Sequence, residues 1–180
     1  FGEDDLRQPI DPYGIAKMAT ECDIEVASAQ HGLDYCIIRP HNVYGDHQNI
    51  WDKYRNVLGI WMCQYMNEEP MSIFGDGEQL RSFTYVKDDV AANFHVALDK
   101  RSKGEVYNCA SGIKVSITEL ANTLLKILKR EDLEIIYKDV RPGDIKYFDI
   151  DNSKLRNLGF DFKTSFEDGL IETINWVKTK

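Results

Sequence analysis

Long apolar runs are missing from this 180-residue chain: none approaches the roughly 18 consecutive apolar residues that a membrane span needs. The opening stretch FGEDDLRQ also lacks the basic-then-apolar order of a secretory signal. Cysteine is sparse and dispersed (Cys22, Cys36, Cys63, Cys109), three of the four in apolar surroundings. This predicts buried, reduced thiols and a cytoplasmic setting rather than a disulfide framework. The four histidines share no ligand spacing with one another or with cysteine, so no metal site is expected. Positive charge is in short supply: 22 Lys and Arg against 30 Asp and Glu give a net charge of −8, which argues against a nucleic-acid surface. The basic clusters Lys100/Arg101/Lys103 and Lys126/Lys129/Arg130 fall at apparent helix ends, where they complement the helix dipole. No initiator methionine is present, and Phe1-Gly2 opens directly in a turn-like sequence. The expectation is a piece of a longer chain.

What is present reads as α/β. The chain is long enough for a sizeable core, with 43% hydrophobic and 29% charged residues. Asp11 is placed to cap a helix with Pro12 at its first position, and Gly32 to stop it after His31. Ile15, Ala19, Cys22, Val26 and Ala29 fall at helical spacing along it and predict a buried stripe. DYCIIRP and EVYNCA are short, almost wholly apolar runs, as buried parallel strands are. Two such strands are too few for a sheet of their own. A second helix is expected from about Asn56 to Met66. MSIFG and RSFTYV read as strands around the turn DGEQ, and KDDVAANFHVALDK as an amphipathic helix. SITELANTLLKILKR opens on a serine–glutamate capping box (Ser116, Glu119), LEIIYKD is a strand, and helices are expected again after NSKL and SFEDG.

The chemistry starts at DPYGIAK. Tyr13 and Lys17 share one helix face at i, i+4, away from the apolar stripe. The pair alone is weak, since nine tyrosines and fourteen lysines give about 0.7 such pairs by chance. Its position in a first helical turn adds weight, because the positive helix end favours a phenolate. A tyrosine base at neutral pH needs a shift of about three units from its free value near 10, roughly 4 kcal/mol. A neighbouring ammonium and a helix N-terminus act in that direction. RPHNVYGDHQN follows a buried strand, which is where α/β folds place ligand loops. Arg81 and Arg141 each sit beside turn residues and carry the forked donors suited to a diphosphate. Taken singly, each is more readily a surface ion pair. GDGEQL lacks a third glycine and leads into a strand, so it reads as a turn.

In order, YGIAK, RPHNVYG, FGDGEQLRSFTYVKDDVA and RPGD…FDIDNSKL resemble the second half of an extended short-chain dehydrogenase/reductase. The resemblance is to the NAD-dependent sugar-nucleotide epimerase/dehydratase family of UDP-glucose 4-epimerase type, and it covers essentially the whole chain. It implies the remnant of a doubly wound, Rossmann-type parallel sheet plus a smaller mixed α/β substrate lobe. Residues 1–50 would close the NAD-binding domain, and residues 51–180 would be mainly the substrate lobe, with a strand near 105–110 returning to the main sheet. Tyr13 would be the acid/base and Lys17 would hold the nicotinamide ribose, with Pro40 near the nicotinamide. Asn42 and Asn56 would contact the sugar nucleotide, and Ser72 and Phe74 would hold uracil largely through backbone. Arg81 and Arg141 would clamp the diphosphate, Asp144 the ribose, and Phe148 would line the sugar pocket and exclude N-acetylated sugars. The family's glycine-rich NAD loop and a catalytic Ser/Thr would precede Phe1.

The implied activity is epimerisation of a UDP-hexose at carbon 4, UDP-glucose and UDP-galactose favoured, through a transient 4-keto sugar. A homodimer with a UDP-sugar substrate and no nucleic-acid or membrane partner is expected. A 4,6-dehydratase shares Tyr, Lys and clamp, and a non-catalytic sugar-nucleotide-binding module is the rival of another class. The 180 residues alone are expected to be inactive.

Overall fold

The structure is a computed structural model and describes residues 1–52, 56–140 and 149–180. Asp11 caps α1 (Pro12–His31), its Oδ1 accepting from the Gly14 N–H at 2.6 Å. Gly32 ends the helix in the left-handed conformation, φ 70°, where a residue without Cβ is favoured. β1 (Ile37–Pro40), β2 (Val43–Tyr44), α2 (Val57–Met66), β3 (Met71–Phe74), β4 (Leu80–Ser82) and β5 (Thr84–Tyr85) follow. α3 (Val86–Leu98), β6 (Val106–Cys109), β7 (Lys114–Ser116), α4 (Ile117–Leu128), β8 (Ile135–Lys138), α5 (Ser153–Asn157) and α6 (Phe166–Val177) complete the order.

Among the described residues the strands form two-stranded sheets. β1 pairs parallel with β6, β2 with β5 and β3 with β8, whereas β4 and β7 are antiparallel. The two apolar runs predicted as buried parallel strands are therefore each other's neighbour, with Arg39 opposite Asn108.

Two apolar clusters hold these sheets. The smaller joins Ala92 and Val96 of α3 to Tyr107 and Cys109 of β6 and to Leu155, Leu158 and Phe160. The larger packs α2, α4 and α6 over β2, β3, β5 and β7, with Trp61, Met62, Met71, Leu120, Leu124 and Leu170 fully buried. α4 contributes most visibly. Ser116 Oγ accepts from the Glu119 N–H at 3.0 Å, and six residues of one face are buried. Each such leucine or isoleucine contributes about 1.5–3 kcal/mol relative to exposure.

Two expectations are overturned. α1 has no buried residue: Ile15 is 54% and Val26 50% exposed, and Cys22 is exposed too. The stripe is real as a pattern, but it points away from every other described element. The face turned toward β1 carries Met18, Glu21, Ile24 and Glu25 instead, all half-buried. The thiols differ too, Cys22 because it lies on that exposed stripe. Only Cys109 is buried, Cys36 and Cys63 are intermediate, and all four are free. Among the described residues no helix is long and apolar enough to cross a membrane, and no cluster of His, Cys, Asp and Glu gathers for a metal.

Candidate functional site

Tyr13 and Lys17 do meet. The Lys17 ammonium lies 5.5 Å from the centroid of the Tyr13 ring, and Tyr13 is 71% exposed in the first turn of α1. An ammonium over a phenol ring is an electrostatic contact that also holds both side chains on one face. Tyr13 thus stands open to a ligand with a cation beside it.

α1 is joined to β1 by charge. Arg39 Nε and Nη2 donate to the two oxygens of Glu21 at 2.8 and 2.6 Å, a bidentate pair. Arg7 Nη1 reaches the same carboxylate at 3.0 Å. Hydrogen bonding to Arg39 holds the Glu21 carboxyl below its ordinary value of 4.5, against the opposing effect of burial. Pro40 ends β1 and is exposed, opposite Cys109 in the parallel register. His41 comes next. Its burial pushes the imidazole below the ordinary value, with a hydrogen bond to Asn108 opposing and the Arg39 charge adding.

Asn42, at φ 40°, turns the chain, and its Nδ2 donates to the Ser82 carbonyl at 2.9 Å. Asn56, at φ 58°, caps α2 through Oδ1, which accepts from the Leu58 N–H at 3.2 Å, while its Nδ2 donates to the Val43 carbonyl at 2.9 Å. Arg81 adjoins Ser82 on β4, its Nη1 on the Leu80 carbonyl at 2.9 Å. These bonds tie Asn42 and Asn56 to the backbone around the start of β2, with Arg81 next in sequence to the Ser82 that Asn42 holds. Both asparagine amides hold backbone carbonyls within the fold, a role the sequence reading did not include.

Ser72 and Phe74 lie on β3, and their backbone is gripped from behind. Trp61 Nε1 donates to the Ser72 carbonyl at 2.9 Å, Gln64 Nε2 donates to Ser72 Oγ at 3.2 Å, and Gln79 Nε2 donates to the Phe74 carbonyl at 2.8 Å. Arg141, Asp144 and Phe148 lie outside the described residues. Two cavities, of about 500 and 750 Å³, flank α3, the first against Tyr35 and Cys36 and the second against Phe94 and Phe160. Neither is lined by a candidate residue.

Sequence reasoning missed Glu21, Arg39, Trp61 and Gln64. A signal existed for the first: Tyr13, Lys17 and Glu21 climb one face at four-residue steps. Arg39 is a lone charge ending an apolar strand, which asks for a partner. Nothing in the spacing marks Trp61 or Gln64.

Comparison with known proteins bears on the family and the fold. Residues 2–110 match the NAD dependent epimerase/dehydratase family. The UDP-glucose 4-epimerase of Thermotoga maritima, solved with UDP-glucose, superposes with a TM-score of 0.91 at 34% identity, over 99% of this chain and 57% of that one. The UDP-N-acetylglucosamine 4-epimerase of Methanobrevibacter ruminantium, solved with UDP-N-acetylmuramic acid, gives 0.91 at 33%, over 98% and 56%. The dTDP-D-glucose 4,6-dehydratase of Bos taurus is 30% identical over 99% of this chain and 50% of its own length. The chain spans about half the length of the curated relatives it matches. With the family matched over more than half the chain and the same α/β fold superposing on its solved members, the chain belongs to the NAD dependent epimerase/dehydratase family.

Proposed function

We propose that the protein of which these residues form part epimerises a UDP-hexose at carbon 4, with UDP-glucose and UDP-galactose its preferred sugars. The observation that carries this is the open Tyr13 phenol with the Lys17 ammonium over its ring, on a helix tied to the strand that leads into Asn42. Tyr13 takes the proton of the sugar hydroxyl as that carbon is oxidised and returns it when the carbon is reduced. Lys17 stabilises the phenolate and holds the nicotinamide ribose. Its exposed, tyrosine-adjacent ammonium fits that end of NAD, as does exposed Pro40 at the end of β1. NAD, when bound, accepts and returns the hydride. Its pyrophosphate needs a glycine-rich loop, and these 180 residues contain none.

In this reading Asn42, Asn56 and Arg81, with Arg141 and Asp144, hold the sugar nucleotide, and Ser72 and Phe74 flank uracil, where their carbonyls, each already accepting one bond within the fold, have only a second lone pair to offer. Asn56 then acts through the N–H groups of the helix it caps, since its own amide is engaged within the fold. Phe148 restricts the sugar, so Phe148→Ala is expected to raise kcat/KM for N-acetylated sugars about tenfold or more, by removing the ring that overlaps an N-acetyl group. The division at residue 50, a cytoplasmic location and a homodimer belong to the same proposal.

A 4,6-dehydratase is the second reading, favoured by the 30% identical bovine relative. Incubating the full-length enzyme with UDP-galactose separates them. The 4-epimer supports the first reading and a 4-keto-6-deoxy sugar the second. No product at all points to a binding module. Tyr13→Phe is expected to lower kcat by about 10²–10⁴ while UDP-sugar affinity stays within a few fold. Retention of more than about a tenth of the rate would remove Tyr13 from the mechanism.

A further inference from the structure

Apolar packing contributes little to where α1 sits among the described elements, because none of its 20 residues is buried. Among the described residues, its side chains hydrogen-bond to β1 through one charged group, Glu21. The Arg39 guanidinium grips both oxygens of Glu21 with Nε and Nη2 and donates from Nη1 to the Glu3 carbonyl at 3.2 Å. Directly across the parallel register, Asn108 holds the same opening segment: its N–H donates to Glu3 Oε1 at 2.8 Å and its Nδ2 to the Phe1 carbonyl at 3.2 Å. One guanidinium therefore ties together the opening residues, α1 and the strand ending at Pro40.

We infer that Arg39 is a positioning residue, whose pair with Glu21 sets the placement of α1, and so of Tyr13 and Lys17, against the end of β1. This rests on the catalytic reading of Tyr13. The lever is direct. Glu21 lies eight residues along the helix from Tyr13, about 12 Å at 1.5 Å per residue, and an α-helix moves as a rigid rod over that length. Rotation or sliding at Glu21 is carried to Tyr13 undiminished. A misplacement of about 1 Å at a reacting group lowers rate by about a hundredfold without changing substrate contacts made elsewhere. Lysine cannot replace Arg39, since a single ammonium lacks the fork that spans both Glu21 oxygens and the Glu3 carbonyl together. Arg7, on the same carboxylate and more exposed, pairs with Glu21 and Glu25 of α1.

The test uses the full-length enzyme with Arg39→Lys, Glu21→Gln, the double variant and Arg7→Gln. Arg39→Lys and Glu21→Gln are each expected to lower kcat about tenfold or more while KM for the nucleotide sugar stays within about twofold. The double variant should lose no more than the worse single one, as residues acting through one contact do. Arg7→Gln should leave kcat within about twofold. Hydrogen exchange reads the brace whatever reaction the enzyme performs. Amides of residues 13–24 should exchange about tenfold faster in Arg39→Lys, with α4 and α6 unchanged. Unchanged α1 exchange, additive losses in the double variant, or unfolding of both conservative variants would overturn the positioning role. A wild-type enzyme that turns over no nucleotide sugar would overturn the catalytic reading instead, and the exchange result would still judge the brace.

Discussion

Gly169 sits in the first turn of α6, where alanine would ordinarily be the better residue by up to about 1 kcal/mol. Here the sign reverses. A Cβ at Gly169 would lie 2.3 Å from the Tyr44 hydroxyl oxygen, 3.0 Å from its Cζ and 3.1 Å from Tyr85 Cδ2. Tyr44 cannot step aside: it is 2% exposed and has Phe83, Tyr85 and Phe166 with ring centroids at 6.2, 5.6 and 5.8 Å. Overpacking of this kind costs about 1–3 kcal/mol. Displacing the hydroxyl from the Phe166 carbonyl, at 3.3 Å, removes about 0.5–1.5 kcal/mol more. Set against the propensity gain, Gly169→Ala is expected to destabilise by about 2 kcal/mol, which lowers Tm by roughly 4–8 °C for a chain of this size. Tyr44→Phe removes the closest atom, so Tyr44→Phe/Gly169→Ala should be more stable than the sum of the single losses by about 1 kcal/mol. Urea unfolding of the four proteins gives all terms. A Gly169→Ala variant as stable as the parent, or strictly additive losses in the cycle, would refute the packing of α6 on β2 described here.

Trp61→Phe leaves the Ser72 carbonyl without its indole donor in a buried setting, so a loss of about 2–4 kcal/mol is expected from urea unfolding. A change under about 1 kcal/mol would count against that bond. Because Arg39 holds the Glu21 carboxyl below 4.5, the pair adds stability above that pH and loses it as pH falls through the depressed value. The stability difference between wild type and Glu21→Gln should therefore shrink as pH falls below 4.5, and a constant difference would contradict the assignment. The 180 residues taken alone should show no binding in a calorimetric titration with NAD, since they carry no glycine-rich phosphate loop. Micromolar affinity would show that other groups hold the cofactor.

Much of this protein was legible from local chemistry. Asp11-Pro12 and Gly32 delimit α1, Ser116 opens α4, and the glycines at 75 and 77, both at φ near 80°, make the turn read from DGEQ. These depend on a few neighbouring atoms, so sequence determines them. The Tyr13–Lys17 contact is likewise set by helical spacing. Partners distant in sequence are another matter. That β3 pairs with β8 and β4 with β7, rather than β3 with β4 across their short turn, follows from how α2, α4 and α6 pack together. The Ile15–Val26 stripe has the period of a buried face, yet periodicity states only that one side is apolar, not what stands opposite it. Arg39 finding Glu21 and Glu3, and the Asn42 and Asn56 amides turning inward to backbone carbonyls, need three segments in place at once. A directional bond between side chains far apart in sequence exists only when the whole fold supplies its geometry, and only the tertiary structure decides it.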